Sequence, residues 1–341
     1  MAKRIGLLIA GLLAALAIGE VITRLSGRAP EMSLISVGRF QLSANPRMGY
    51  EPVPDFEYHG RKLYYYEFRG RSNRLGFRDR DHPVQKPAGT FRILVLGDSI
   101  TMGLELERTE DIFTFVLERA LREKGYAADV LNFGVSGYNT QQEVEMLADK
   151  GLAFQPDLVV LAYCLNDTLQ MNGGIIRRLR ERESEAAGIA HYQLTPRLAR
   201  SALYRLIWAR FFAERLVEDR VQHYRDLKAD TVEPSLKKLR RLADEQGFEV
   251  LVAVLPTDKT RGSPEQYDRI AELATGQQFR QLDLRAAFEE CAAATGETLF
   301  NDPWHPSAAG HACIGRAIAE YLGARGLAPK GQTDAGAGSR R

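Results

Sequence analysis

The sequence predicts an α/β domain of three layers, α/β/α, around a central parallel sheet of about five strands. Three observations predict it. Short apolar runs alternate with segments of helical periodicity, the runs are mostly apolar instead of apolar at every second residue, and several end at a glycine or proline. A strand covered on both faces has no solvent side to mark with polar residues, so a parallel sheet between two helical layers reads this way.

The elements follow in order. Phe91-Arg92-Ile93-Leu94-Val95-Leu96 is the first strand, closed by Gly97. Thr109 reads as the cap of a helix with Ile112, Val116 and Ala120 on one face and Gly125 at its end. Asp129-Val130-Leu131-Asn132-Phe133 is the second strand, and Thr140 with Glu143 reads as a capping box for the helix that stops at Gly151. Leu158-Val159-Val160-Leu161-Ala162-Tyr163 is the third strand and Val250-Leu251-Val252-Ala253-Val254-Leu255, ending at Pro256, the fourth. Ser263-Pro264 opens another helix, cap first and proline second. Gln281-Leu282-Asp283-Leu284 is a weak fifth strand, and a last helix starts near Ser307 and carries Ile314, Ile318 and Leu322.

Around this domain, at residues 91–327, the composition changes. Lys3 and Arg4 precede an apolar run over residues 5–19, so residues 1–25 read as a signal anchor or a signal peptide, with Ala15-Leu16-Ala17 as a cleavage site in the second case. With Lys3 and Arg4 held inside, the expected location is a single-pass membrane protein with its main domain outside the cytoplasm, or a periplasmic or secreted protein after cleavage. Residues 26–90, with six prolines and the run Tyr64-Tyr65-Tyr66, read as short strands and turns. A helical insertion occupies about 169–233, and residues 328–341 read as a disordered tail. The insertion carries Leu203, Tyr204, Trp208, Phe211 and Phe212 at helical spacing; Trp208 is the candidate contact for an acyl chain or a membrane surface, against the plainer expectation that this helix packs on the core.

A net charge of +2 and no basic stripe exclude general attraction for nucleic acid. Cys164, Cys291 and Cys313 are too few and scattered for a zinc site or a disulfide framework; an oxidising compartment leaves room for one bridge, but none is expected.

In open parallel sheets, ligands meet the carboxyl ends of the strands. The first strand ends in Gly97-Asp98-Ser99, the second in Asn132-Phe133-Gly134-Val135-Ser136-Gly137, the third in Cys164-Leu165-Asn166-Asp167, and the last helix is preceded by Asp302-Pro303-Trp304-His305. Each alone is ordinary turn chemistry. Together they are a hydroxyl, a glycine whose backbone N–H can approach a ligand, an amide donor, and an imidazole with a carboxylate three residues before it. His311 is the rival imidazole, but it falls inside the final helix without an acidic partner at such spacing.

On these four blocks the chain resembles the SGNH/GDSL hydrolase family from about residue 91 to residue 323, with Cys164 standing where many members have glycine. Asn73-Arg74-Leu75-Gly76-Phe77-Arg78 and the apolar N-terminus resemble a membrane-anchored bacterial subgroup. The resemblance implies a flavodoxin-like sheet and a serine esterase acting on an acyl or acetyl ester of an envelope polysaccharide or lipid. Ser99 would be nucleophile, His305 base and Asp302 its orienter, with Ser99, Gly134 and Asn166 holding the oxyanion and no metal or organic cofactor. An O-acyltransferase using the same residues on a sugar hydroxyl, and a non-catalytic glycan-binding or polysaccharide-assembly protein, are the alternatives. A P-loop or dinucleotide site lacks its glycine pattern after the first strand.

Overall fold

The computed structural model describes residues 2–26, 39–59, 69–168, 175–176, 179, 201–204, 206–207, 231–257, 263–302 and 304–327. Trp208, most of the 169–233 insertion and the 328–341 tail lie outside them. The chain forms two compact units, one of residues 1–36, 62–65 and 180–228, the other of residues 37–61, 66–179 and 229–341.

The first unit holds helix α1 (Ala2–Ser26). Its stretch Lys3–Ser26 contains 18 consecutive residues with a mean hydropathy of 2.4 and is long and apolar enough to cross a membrane. Glu20 interrupts it, and the structure supplies its partners. Its carboxylate accepts the Ser201 hydroxyl at 2.7 Å and the backbone N–H groups of Ala202 and Leu203, both at 2.9 Å. A helix start leaves such N–H groups without intrahelical partners, so Glu20 caps the turn at residues 202–204 from another helix.

The second unit contains five parallel strands in the order β6-β5-β7-β8-β9. They are β5 (Phe91–Gly97), β6 (Ala128–Gly134), β7 (Leu158–Tyr163), β8 (Glu249–Val254) and β9 (Arg280–Asp283). Because side chains alternate across a strand, Leu94, Leu96, Leu131, Phe133, Val159, Leu161, Val250 and Val252 share one face. They pack with Val144 and Leu147 of α4 (Thr140–Asp149) and Leu236 and Leu239 of α5 (Val232–Gln246). Ile93, Val95, Val130, Val160, Leu251 and Ala253 share the other face, against Phe113, Leu117 and Leu121 of α3 (Phe113–Glu123) and Ile314, Ile318 and Leu322 of α8 (Ala308–Ala324). Each such side chain contributes about 1.5–3 kcal/mol on burial, which is why both faces needed apolar residues. Helices α2 (Ser99–Met102), α6 (Pro264–Gly276) and α7 (Arg285–Thr295) complete the unit.

Several local expectations change. Asn139, not Thr140, caps α4, and Gln142, not Glu143, closes the capping box. A cap needs extended backbone, which Asn139 has at φ −116° and ψ 171°, whereas Thr140 is already helical and Glu143 is buried. Thr109 opens a 3₁₀ turn (Thr109–Asp111), and α3 starts only at Phe113, whose N–H is accepted by Nδ1 of His311 at 3.2 Å. Cys291 of α7 and Cys313 of α8 form a disulfide, contrary to expectation. Their Cα atoms stand 6.1 Å apart because the two helices are neighbours, which a spacing of 22 residues does not reveal.

Ahead of the sheet, β1 (Phe40–Leu42) pairs with β2 (Tyr50–Pro52), and β3 (Glu57–His59) with β4 (Arg69–Arg71), both antiparallel. Asn73 Oδ1 accepts the N–H groups of Leu75 and Phe77, curling the following turn. Gly76 there has φ +90°, and a Cβ on it would meet Pro52 at 2.7 Å. The turn seats Phe77 on Phe133, with ring centroids 4.3 Å apart, and directs the buried Arg78 toward the end of β5.

Candidate active site

The chain leaves β5 through a turn that only glycine can begin, since a Cβ on Gly97 would lie 2.0 Å from Thr101 Oγ1. Asp98 caps the single turn of α2 by accepting the Ile100 N–H at 2.9 Å, and Gly103, at φ +77°, ends it. Ser99 therefore stands at the carboxyl edge of the sheet. The strand order reverses at β5, between β6 and β7, which opens a crevice there.

Asn166 sits in the 3₁₀ turn Leu165–Thr168 that follows β7. Its Nδ2 donates to Asp98 Oδ2 at 2.8 Å, tying the two strand ends together. From below, Asp167 Oδ2 accepts Thr140 Oγ1 at 3.2 Å and the Cys164 N–H at 3.3 Å. Burial pushes the Asp98 and Asp167 carboxyls and the Cys164 thiol upward, and Cys164 packs in the core as an inert residue.

The loop before α8 explains the Asp-x-x-His spacing. Asp302 Oδ1 accepts the backbone N–H groups of Trp304 at 2.7 Å and His305 at 2.8 Å, folding the loop around the carboxylate. Its Oδ2 then lies 2.7 Å from His305 Nδ1, and His305 Nε2 lies 3.0 Å from Ser99 Oγ. Burial works against charge on Asp302, but the bonds from His305 outweigh it and hold the carboxyl at about 2. Burial likewise opposes the imidazolium of His305, but Asp302, with Asp98 and Glu105, raises its pKa above 6.5. His311 is unlike it in every respect. It is fully buried, stacks on Phe113, and burial pulls its pKa down to about 3, so it is a neutral cap of α3.

Gly134 is present at the end of β6, but its N–H donates to Asn132 Oδ1 at 2.9 Å and is not directed at Ser99. Its missing side chain serves packing, because a Cβ would lie 2.2 Å from the Met102 nitrogen. The turn that follows carries Gly137 at φ +81°. It is braced from the N-terminal strands: the Tyr50 hydroxyl donates to Ser136 O at 3.0 Å and the Tyr138 hydroxyl donates to Tyr50 O at 2.5 Å. The sequence signal for this turn is its second glycine, Gly137, three residues beyond Gly134. A residue with no sequence signal is Glu105, at φ +68°, whose carboxylate oxygens and the donor atoms of Asp302 and His305 lie within 4.8 Å of one another. Both ring nitrogens of His305 are already engaged, by Ser99 and Asp302, so this cluster is not arranged as an ion cage.

Residues 95–313 match the model of the GDSL-like lipase/acylhydrolase family. No curated protein sequence matches the chain significantly. Among solved structures, it is similar to a lipase/acylhydrolase from Enterococcus faecalis at 17% identity and a TM-score of 0.43, covering 71% of this chain and 99% of that one. A putative lipolytic protein of the G-D-S-L family from Desulfitobacterium hafniense has 16% identity and a TM-score of 0.42, with 68% and 99% covered. A two-domain esterase active on acetylated mannans has 14% identity and a TM-score of 0.45, with 73% and 53% covered. The family match spans the hydroxyl, amide and imidazole blocks alike, and the chain belongs to the GDSL-like lipase/acylhydrolase family of carboxylic ester hydrolases.

Proposed function

We propose that the protein is a serine esterase in which Ser99, His305 and Asp302 form the catalytic triad. The observation that carries this is the continuous chain of contacts, 3.0 Å from Ser99 Oγ to His305 and 2.7 Å from His305 to Asp302. His305 Nε2 takes the Ser99 proton as Oγ attacks the ester carbonyl, and Asp302 balances the imidazolium that results. The imidazolium then returns that proton to the departing alcohol. Water, deprotonated by the same ring, releases the acid and restores Ser99.

The negative oxygen of the intermediate is held by the Ser99 N–H, the second Nδ2 hydrogen of Asn166, and the N–H of Gly137 in place of Gly134. Gly137 fits because its N–H makes no hydrogen bond to the described residues, while that of Gly134 is taken. Asp98 leaves Asn166 one free hydrogen and fixes its direction. Each such donor typically lowers the barrier by ~3 kcal/mol.

The proposed substrate is an acyl or acetyl ester of an envelope polysaccharide or lipid, met outside the cytoplasm. The apolar helix α1 and the Cys291–Cys313 bridge support that location, since disulfides persist in oxidising compartments. The deciding experiment is labelling with a fluorophosphonate followed by peptide mass spectrometry. An adduct on Ser99 is expected; an unlabelled Ser99 in folded protein rejects the reading. Turnover of p-nitrophenyl esters with and without a sugar acceptor then distinguishes hydrolysis from transfer.

A further inference from the structure

The loop after α2 holds a glutamate where the backbone favours glycine. Glu105 has φ +68°, in the left-handed region that side chains avoid. The loop is held there from outside. The buried guanidinium of Arg78 donates through Nη1 to Gly103 O at 2.5 Å and through Nη2 to Leu106 O at 2.9 Å, gripping the chain on either side of residue 105. Backbone strain that is over-determined in this way is typically kept for a functional reason.

The half-buried carboxyl so presented lies beside Asp302 and His305, with one donor atom of each within 4.8 Å of the others. Asp302 already accepts from Trp304, His305 and the imidazole, all of which favour its charged form. Of the two carboxyls Glu105 therefore keeps a proton more readily, since burial and then the Asp302 charge raise its pKa.

We propose that Glu105 is a positioning residue for the imidazole: its carboxylate, held beside Asp302, supports the His305 imidazolium and sets the pH at which the ring becomes a free base. The proposal rests on the reading of His305 as the base. His305 faces Asp302, Glu105 and Asp98, all acidic, and the neutral His311; Glu105 faces Asp302 and His305. When Glu105 ionises it adds a second negative charge beside Asp302, so His305 keeps its proton to higher pH.

The test uses the full chain in detergent and the Glu105→Gln and Glu105→Gly variants. The His305 ring is titrated by NMR, assigned with His305→Gln, alongside kcat/KM for p-nitrophenyl acetate against pH. Both variants are expected to lower the His305 midpoint and the acid limb of kcat/KM by about one pH unit, the scale of a unit charge a few ångströms away at partial exposure. Glu105→Gly suits the left-handed backbone, so it makes this shift with an undiminished Tm, which a purely structural role would not do. Unchanged midpoints in both variants overturn the proposal. The ring titration needs no turnover, so it decides the role of Glu105 even if Ser99 proves not to be the nucleophile.

Discussion

The Ser99 hydroxyl lies 3.0 Å from Nε2 of His305, across a separation of 206 residues. Two local devices produce that meeting: the Gly97-Asp98 turn that ends β5, and the Asp302 carboxylate that folds the loop before α8. The packing of α8 on α3, on the same face of the sheet as Ile93 and Val95, brings the two together. Ser99→Ala and His305→Ala should each lower kcat for p-nitrophenyl acetate by roughly 10³-fold or more, with Tm nearly unchanged in Ser99→Ala. Retained turnover in either, with the mass of the variant confirmed, removes that residue from the reaction.

The protonation of His305 sets a pH dependence. Only the neutral ring accepts the Ser99 proton, and the raised pKa moves the neutral form to pH above 6.5. The expected kcat/KM rises with pH through a midpoint above 6.5 and then levels. A profile already level at pH 6 contradicts the assignment.

Gly134 and Gly137 should separate in mutagenesis. Gly134→Ala sets a methyl against the Met102 nitrogen, within 2.2 Å, and is expected to lower Tm and soluble yield whatever its effect on rate. Gly137→Ala disturbs only a turn at φ +81° and should reduce kcat by roughly ten-fold or more while KM and Tm change less. If Gly134→Ala folded normally and lost only kcat, the donor would be Gly134 after all.

The fold was legible because a doubly covered sheet writes itself as apolar runs, and all five appear within a residue or two of their expected ends. Ser99, Asn166, Asp302 and His305 were legible because strand ends and a tight Asp-x-x-His loop are local features. What sequence alone did not disclose depends on contacts between distant segments. Gly134 looked like an anion-binding glycine until the Asn132 amide oxygen and the Met102 backbone were found against it. Tyr50 and Glu105 stand near the site without belonging to any motif, Arg78 belongs to the Asn73–Arg78 block whose contacts the sequence does not show, and Cys291 meets Cys313 only because α7 lies beside α8.

The Cys291–Cys313 bridge closes a loop of 22 residues, for which loop entropy predicts about 3 kcal/mol of stabilisation. Alkylation of the exported protein under denaturing conditions should find only Cys164 free, and Cys291→Ala should lower stability by about that amount without changing kcat. Two further free thiols in protein recovered from the membrane fraction would argue against an oxidising location.

The last prediction concerns charge buried far from Ser99. At the amino ends of β5 and β6, the fully buried Arg92 donates to Asp129 at 2.9 Å, and His82 bridges Asp129 at 2.8 Å and Asp79 at 3.1 Å. Burial opposes charge on His82, but its hydrogen bonds to Asp129 and Asp79 outweigh this and raise its pKa from 6.5 to about 9. Burial also opposes charge on Asp129, yet His82 and Arg92 lower its pKa from 3.8 to about 2. The stability from His82 is therefore complete below pH 6.5 and is lost as pH rises toward 9. That from Asp129 is complete above pH 3.8 and is lost as pH falls toward 2. The two describe one interaction and count once, at no more than about 3 kcal/mol for His82. Urea unfolding should show a plateau between these limits and a decline toward pH 9. Because His305 adds a loss in the same direction, the diagnostic comparison is with His82→Gln, which should be less stable at pH 6 and lose less between pH 6.5 and 9 than the unmodified chain. Equal alkaline losses in the two proteins would show that His82 folds uncharged and that Asp129 is held by Arg92 and Arg80.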